Sequence, residues 1–395
     1  MKNVCLLIYS LRSGGAERVI SQWSQLLSHD YNVFMTIFDS NGINYPYAGQ
    51  LVDLKVPSNN KSTLSKFLVV LKRARKLREF VERNNIDIVI SFCNECNLVN
   101  TISRHRAKKI CSIRNAIDVY ANAFVKYVIR SSKNTIVVQT QALKEEIGNR
   151  FGLKLLKKIK VLGNPFNTER IKLLTKEPLN NDEETLFQNS QTIVSVASFK
   201  KPKNHPGLIR SFELVCKKNN NVKLLLVGAD NGQFANIKKM AEQSACSDRI
   251  VFIGERKNPF PYMKNASVFA MPSLNEGIPN ALAEAMICGC PIVSTNCPTG
   301  PKELLCKDDK PVNIENGFLE VDYGVLTSPF TNKYDCSNQP YSENDRIFAD
   351  ALLYALDNDN NKRLKIKALA GASRFNIDEY KNDLENLINS EFQVL

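Results

Sequence analysis

No stretch of about 18 apolar residues free of charge occurs in this sequence, so nothing in it reads as a membrane-spanning helix. The opening residues MKNVCLLIYSLRSGG hold only a short apolar run, lack a small-residue cleavage site and pass straight into a glycine turn. They read as a first buried strand and not as a signal peptide. Partnered cysteine pairs are also missing. Cys93-Asn94-Glu95-Cys96 is a lone CxxC, and His105, one of three histidines, is not at zinc-finger spacing, which sets a metal site aside. The eleven cysteines are odd in number and several lie in apolar runs, so they are expected to be reduced core residues of a cytoplasmic protein. Repeats and low-complexity tracts are absent.

What the chain has in excess is positive charge, +13 over 395 residues. Three basic runs fall in the first half: KFLVVLKRARKLREFVER (66–83), RHRAKK (104–109) and KLLKKIK (154–160). Such charge suits nucleic acid, an anionic membrane face or plain solvent. A nucleic-acid surface predicts aromatic residues interleaved with the cations, whereas these runs hold aliphatic residues and only an occasional Phe, so no nucleic-acid partner is expected. In the first run Leu64, Phe67, Leu68, Leu71 and Ala74 fall on one broad helical face flanked by lysines and arginines. That pattern fits an amphipathic helix on anionic lipid, and equally a core helix with a basic outer face.

The length predicts two domains. Short apolar strands at 3–10, 32–38, 86–92, 109–113, 134–139 and 158–162 alternate with helix-like segments, and several are apolar on consecutive positions, as in a parallel sheet buried on both faces. Residues 175–190 lose the pattern and turn polar and acidic, so the sequence predicts an N-terminal domain over 1–174 and a linker over 175–190. A C-terminal domain follows over 191–372, with strands at 192–198, 222–228, 249–254, 266–273 and 291–295, and a final helical segment over 373–395 crosses back to the first domain. Two such α/β halves are expected to face each other across a cleft at the carboxyl ends of their strands.

Three stretches carry candidate chemistry. In LRSGGAER, Gly14 and Gly15 allow close backbone approach at a helix start, where N–H groups suit a phosphate. The same glycines also make an ordinary tight turn, and Arg18 at the third position excludes the nicotinamide-type GxGxxG. In SVASFKKPKNHPGLIRSF, Lys200, Lys201 and Lys203 lie between a strand ending near Ser198 and a helix starting near His205, placed to neutralise a diphosphate or simply solvated. In SLNEGIPNALAEAMICGCPIVST, Asn280 is expected to cap a helix that Gly289 ends, with Ala281, Leu282, Ala283 and Ala285 keeping it slim. Glu276 precedes its anion-attracting N-terminus and Glu284 lies just over one turn in. Carboxylates around a phosphate site make sense as holders of hydroxyls, which a nucleotide sugar offers on both sides of its diphosphate.

In this strand–loop–helix–Gly–strand frame the chain resembles glycosyltransferase family 4, retaining enzymes of GT-B architecture with a Glu-x7-Glu motif, met here as Glu276 and Glu284. SGGAER, GNPFN (163–167), KPKNHPGLIRSF, LLLVGAD and CPTGPKELL (297–305) extend the resemblance over nearly the whole chain. It is similar above all to the bacterial branch that builds capsule, lipopolysaccharide and other surface glycans. The resemblance implies a GT-B fold of two Rossmann-like parallel-sheet domains and transfer of a hexose or N-acetylhexosamine from a UDP-sugar. The implied acceptor is a glycan or a polyprenyl-diphosphate-linked oligosaccharide. No cofactor and no metal are implied, and the enzyme would be cytoplasmic and peripheral on the anionic inner face of the membrane.

On the same basis Glu276 would hold donor-sugar hydroxyls, assisted by Gly277, Ile278, Pro279 and Asn280 and, at the helix start, Ala281 and Leu282. Glu284 would hold the ribose. Lys203 would contact the diphosphate, Phe252 and Gly254 would meet the base, and Gly14 and Gly15 would approach from the first domain. The sequence departs from the family twice. The arginine expected five residues before Lys203 is Ser198, leaving Lys200 or Lys201 to supply charge without a bidentate fork. The first-domain histidine is also missing from CSIRNAIDVY, where Arg114 is assigned to the acceptor or phosphate side beside Asn115. A sugar-nucleotide epimerase of the same fold and an inactive nucleotide-sugar-binding subunit are the alternatives.

Overall fold

The computed structural model describes residues 1–12, 14–58, 62–114, 123–308, 312–331, 334–337 and 339–390; Asn115 and the side chain of Leu64 lie outside what it describes. The chain forms two compact units, Met1–Pro165 with Ile377–Leu395, and Phe166–Asn376.

The first unit is built on a seven-stranded parallel sheet. Its strands are β1 (Asn3–Leu7), β2 (Asn32–Ile37), β3 (Gln50–Asp53), β4 (Ile88–Phe92), β5 (Lys108–Ile113), β6 (Asn134–Val138) and β7 (Ile159–Val161), in the order β3-β2-β1-β4-β5-β6-β7. The unbroken apolar run in β1 follows from burial on both faces. Val4 and Leu6 join one core with Trp23, while Cys5 and Leu7 join another with Leu77 and Val81. The single tryptophan, on the helix Gly15–Leu27, meets Phe92 edge-on at 5.0 Å and donates its indole N–H to the Tyr380 hydroxyl at 2.8 Å. Tyr380 belongs to the last helix, Ile377–Asn389, whose Leu384, Leu387 and Ile388 complete that core. Lys108 donates to the carbonyls of Leu387, Ile388 and Ser390, placing a cation on the unsatisfied end of this helix.

The second unit carries β8 (Gln191–Val196), β9 (Val222–Val227), β10 (Ile250–Gly254), β11 (Val268–Met271), β12 (Ile292–Thr295), β13 (Phe318–Glu320) and β14 (Val325–Thr327). Their order is β10-β9-β8-β11-β12-β14-β13, parallel except for the antiparallel β13–β14 pair. Residues 175–190 lie in this unit, with a short helix at Asn181–Glu184, and Leu179, Leu186 and Phe187 pack against its core. All eleven cysteines are free thiols, and all but Cys93 and Cys336 are buried. No helix among the described residues is long and apolar enough to cross a membrane.

His205, first residue of the helix His205–Lys218, is 1% exposed, and burial pulls its pKa down to about 3, with Lys203 adding repulsion and the Ala197 backbone opposing. The folded state therefore keeps this imidazole neutral where an unfolded chain would protonate it. The stability this confers is fully present above the unfolded value of about 6.5 and is lost as pH falls from there toward the folded value. Denaturant unfolding of the second unit is expected to weaken by roughly 2 kcal/mol between neutral pH and about pH 5 through this group alone. In His205→Asn that part of the slope should vanish; an unchanged slope would mean that His205 is not held neutral.

Candidate functional site

Among the parallel strands of each sheet the order reverses once, between β1 and β4 and between β8 and β11. Crossovers leaving on opposite sides of a strand pair open a crevice at their carboxyl ends, where ligands of open α/β sheets bind. In the second unit this sets the loop after β8, residues 197–204, beside the loop after β11, residues 272–279.

The two loops are joined by a charged contact. The Lys203 ammonium lies 2.6 and 2.8 Å from the two carboxylate oxygens of Glu276, and the Ser273 hydroxyl donates to the same carboxylate at 2.6 Å. Glu276 is only 8% exposed, so this is a largely desolvated carboxylate whose charge is matched on the spot. Leu274 N–H donates to the Pro202 carbonyl at 2.8 Å, tying the loops through their backbones as well. Below them the Thr295 hydroxyl donates to the Ser273 carbonyl at 2.6 Å, and the Thr299 hydroxyl donates to the Glu276 carbonyl. Gly300 has φ +97°, and a Cβ there would lie 1.8 Å from the Gly277 carbonyl, so only glycine lets the loop after β12 pack beneath Gly277 and Pro279.

The helix behind Glu276 runs Asn280–Ile287 with Pro279 in the capping position and no side-chain cap. Asn280 is thus its first residue and not its cap, because Pro279 supplies an extended backbone and needs no N–H there. Gly289, at φ +73°, follows the helix as expected. Glu284 sits in the second turn, 2% exposed. Leu282 is buried, and its N–H donates to the Pro279 carbonyl at 3.2 Å in the first turn. Ile278 and Ala281 are half-buried against the same core. Phe252 stacks within an aromatic group with Phe199 and Phe234, and the Gly254 carbonyl accepts from Gly228 N–H at 3.0 Å at the end of β10. Lys200 and Lys201 are exposed beside the half-buried Ser198.

The switch point of the first unit gathers Gly14, Gly15, Glu95 in the first turn of the helix after β4 (Asn94–Ile102) and Arg114 just after β5. Gly14 N–H donates to the Tyr45 hydroxyl at 3.3 Å, and the Glu17 carboxylate fills the space a Cβ on Gly14 would take. Arg114 lies over the Phe92 ring at 5.3 Å and donates to Asn164, itself beside Gln139. Burial lowers its pKa to about 10, which still leaves a cation at neutral pH. Among the described residues no His, Cys, Asp or Glu cluster could hold a metal ion.

Ser273, Thr295, Thr299 and Gly300 carry no role in the sequence reading. Thr299 and Gly300 stand inside CPTGPKELL, where the only local signal is a Gly-Pro before a short helix, Pro301–Leu305.

Residues 177–323 match the family model described as "Glycosyl transferases group 1". Over 346 residues the chain is 28% identical to an uncharacterized glycosyltransferase of Methanocaldococcus jannaschii, covering 81% of this chain and 83% of that protein. It is 24% identical over 378 residues to the N-acetylgalactosamine-N,N'-diacetylbacillosaminyl-diphospho-undecaprenol 4-alpha-N-acetylgalactosaminyltransferase of Campylobacter jejuni, covering 90% of this chain and 100% of that protein. Among solved structures it is similar to Anabaena HepE in complex with UDP and glucose, with TM-score 0.73, 15% identity, and 99% and 100% of the two chains covered. The architecture is a two-domain GT-B fold, and Lys203, Glu276 and Glu284 all lie within the glycosyltransferase-type segment of the second unit.

Proposed function

We propose that this protein is a retaining glycosyltransferase of family 4 type. It moves a hexose or N-acetylhexosamine from a UDP-sugar to a glycan or polyprenyl-diphosphate-linked oligosaccharide during surface-polysaccharide synthesis. The observation that carries this reading is the Lys203–Glu276 pair at the strand-order reversal of the second unit, inside the matched segment. The Campylobacter relative, named for a diphospho-undecaprenol acceptor, and the HepE complex with UDP and glucose support the choice of substrates.

In this reading Lys203 turns its ammonium from Glu276 to the diphosphate, and Glu276 takes hydrogen bonds from donor-sugar hydroxyls. Backbone of Gly277, Ile278, Pro279 and Asn280 completes the sugar seat, and Glu284 holds the ribose. Phe252 and Gly254 border the base, and Gly14 and Gly15 approach the diphosphate. The C–O bond between anomeric carbon and diphosphate breaks as an acceptor hydroxyl attacks from the same face, and its proton passes to the leaving diphosphate. Lys203, with Lys200 and Lys201 on the same loop, stabilises the charge that develops, so the chemistry needs no divalent ion. Arg114 serves the acceptor side. A lipid-linked acceptor would hold the enzyme at the anionic inner face of the cytoplasmic membrane.

A panel of nucleotide sugars, scored by thermal shift and by product formation, identifies the donor. With that donor, Glu276→Ala should lower kcat/KM at least ~100-fold, the loss expected from two charge-assisted hydrogen bonds of about 1.5–3 kcal/mol each. Glu284→Ala should act mainly by raising the donor KM. Circular dichroism should confirm that both variants stay folded, and near wild-type transfer in both would remove the donor-site assignment. A donor that binds tightly yet gives no product with any glycan acceptor would mark an inactive binding subunit instead.

A chelator tests the ionic side of the proposal. Transfer should persist in excess EDTA, with UDP release unchanged in rate. Loss of activity restored by added magnesium or manganese would show that lysines alone do not carry the diphosphate charge.

A further inference from the structure

Arg73, on the helix Thr63–Arg83, is completely buried. A guanidinium at that depth is tolerated only where its donors and its charge are met. Here they are met by four separate pieces of chain. The guanidinium lies over the Tyr9 ring at 5.0 Å, just after β1, and over the Phe38 ring at 4.8 Å, just after β2. Its Nε donates to the Val56 carbonyl at 2.8 Å, and one terminal nitrogen donates to the Ser58 hydroxyl at 3.2 Å, both after β3. The other terminal nitrogen donates to the carboxylate of Glu95, in the first turn of the helix after β4. Ser58 N–H in turn donates to the Tyr9 hydroxyl at 3.1 Å. One buried cation thus pins the segments that leave the carboxyl ends of four neighbouring strands.

The anion that answers this cation stands at the surface. Among the described residues Glu95 is the ion-pair partner of Arg73, and its side chain is 44% exposed. Its second oxygen accepts no hydrogen bond among the described residues. A pair that served packing alone would gain most by closing over both charges. This one uses a guanidinium inside the unit to hold a carboxylate at its edge, where the strand order reverses between β1 and β4. The turn that leads into the Glu95 helix is strained as well. Cys93 adopts φ +70° and ψ 156°, a region that glycine alone enters readily, and such strain persists where the surrounding structure fixes a functional geometry. Arg114, the cation of the same edge, is half-buried and donates to Asn164.

We propose that Glu95 reads the acceptor. Its second oxygen accepts a hydrogen bond from a hydroxyl of the acceptor's terminal sugar, and Arg73 is the positioning residue that holds it there. The inference rests on the transfer reading above and narrows the acceptor class. The terminal unit is a neutral hexose or N-acetylhexosamine, because a carboxylate at this point repels a phosphate or a uronate. Glu95 orients the acceptor and takes no proton from it.

Titration of the full chain by saturation-transfer NMR, with UDP present, tests this without turnover. The probes are the methyl glycosides of glucose, galactose, N-acetylglucosamine and N-acetylgalactosamine, with methyl glucuronide as the anionic counterpart. At least one neutral glycoside should bind the wild type, and the glucuronide should not. Glu95→Gln leaves an amide oxygen for Arg73 and puts an NH2 in place of the second carboxylate oxygen. It should weaken the neutral glycoside roughly tenfold or more, the loss of one charge-assisted hydrogen bond, and narrow the preference over the glucuronide. Arg73→Lys keeps the charge without the fork and should weaken the same binding. With the donor identified as above, the acceptor KM should rise in Glu95→Gln while the donor KM and hydrolysis of the donor by water stay at their wild-type values. No neutral glycoside bound by the wild type, equal binding by Glu95→Gln, or a raised donor KM overturns the proposal. A lowered Tm with unchanged binding also overturns it, since the pair would then serve packing alone. The same loss of glycoside in Glu276→Ala would place the probe in the donor seat and overturn it too. The binding readout needs no product, so failure here is separate from failure of the transfer reading, which is measured on product formation.

Discussion

The reversal of strand order between β8 and β11 is the constraint on which the second unit's chemistry depends. It forces two loops from distant parts of the chain, carrying Lys203 and Glu276, to emerge side by side from neighbouring strands. An isolated carboxylate as buried as Glu276 would be costly, and so would an ammonium left half-buried without an anion. Each is the counter-ion of the other in the ligand-free protein. A diphosphate arriving at Lys203 and sugar hydroxyls arriving at Glu276 would replace that contact by two others, keeping both charges matched. In that proposed exchange both states would be electrostatically satisfied, and the lysine side chain is the part that would swing.

The surroundings of Glu276 explain why the swing can be left to the lysine. Ser273 holds the carboxylate, Thr299 holds its backbone carbonyl, and the close packing of Gly300 under Gly277 leaves no room for the loop to sink. Lys203 ends a single 3-10 turn, Lys201–Lys203, followed by Asn204 in a left-handed conformation. In the proposed reaction such a support would fix the group that reads hydroxyl geometry and leave the movement to the group that supplies charge.

The parts of this arrangement that could be read in the sequence are those governed by local rules. Consecutive apolar positions exposed the central strands, since a strand buried on both faces cannot alternate, as Val4 to Leu7 illustrate. The edge strands β3 and β13 escaped notice because three or four residues with one open side carry no such signature, and β14, buried between β12 and β13, is only three residues long. Asn280 looked like a cap, yet the preceding proline took the capping position. The Glu276–Glu284 spacing gained meaning from its frame, whereas Ser273, Thr295 and Thr299 are hydroxyls of no distinctive spacing whose role appears only when three loops converge. Phe67 and Leu71 carried two readings, core or interface, and the folded unit leaves both outside its core.

In the loop after β8, where the resemblance implies an arginine and the chain has Ser198, lysines are gathered instead. The Ser198 carbonyl accepts from Lys200 N–H at 2.9 Å, and the Lys200 carbonyl accepts from Lys203 N–H at 3.0 Å, so the backbone folds back on itself within six residues. Three lysines are thereby gathered at the carboxyl end of one strand, with Lys203 directed to Glu276 and Lys200 and Lys201 exposed. A planar guanidinium would fix a phosphate by two parallel hydrogen bonds, whereas ammonium groups act as point charges. Were a diphosphate to bind here as proposed, local charge density would replace directional binding, and its orientation would fall to the backbone amides and to the firmly held carboxylate. In the proposed site the position of Glu276, not the identity of any single cation, would define where the donor sugar lies.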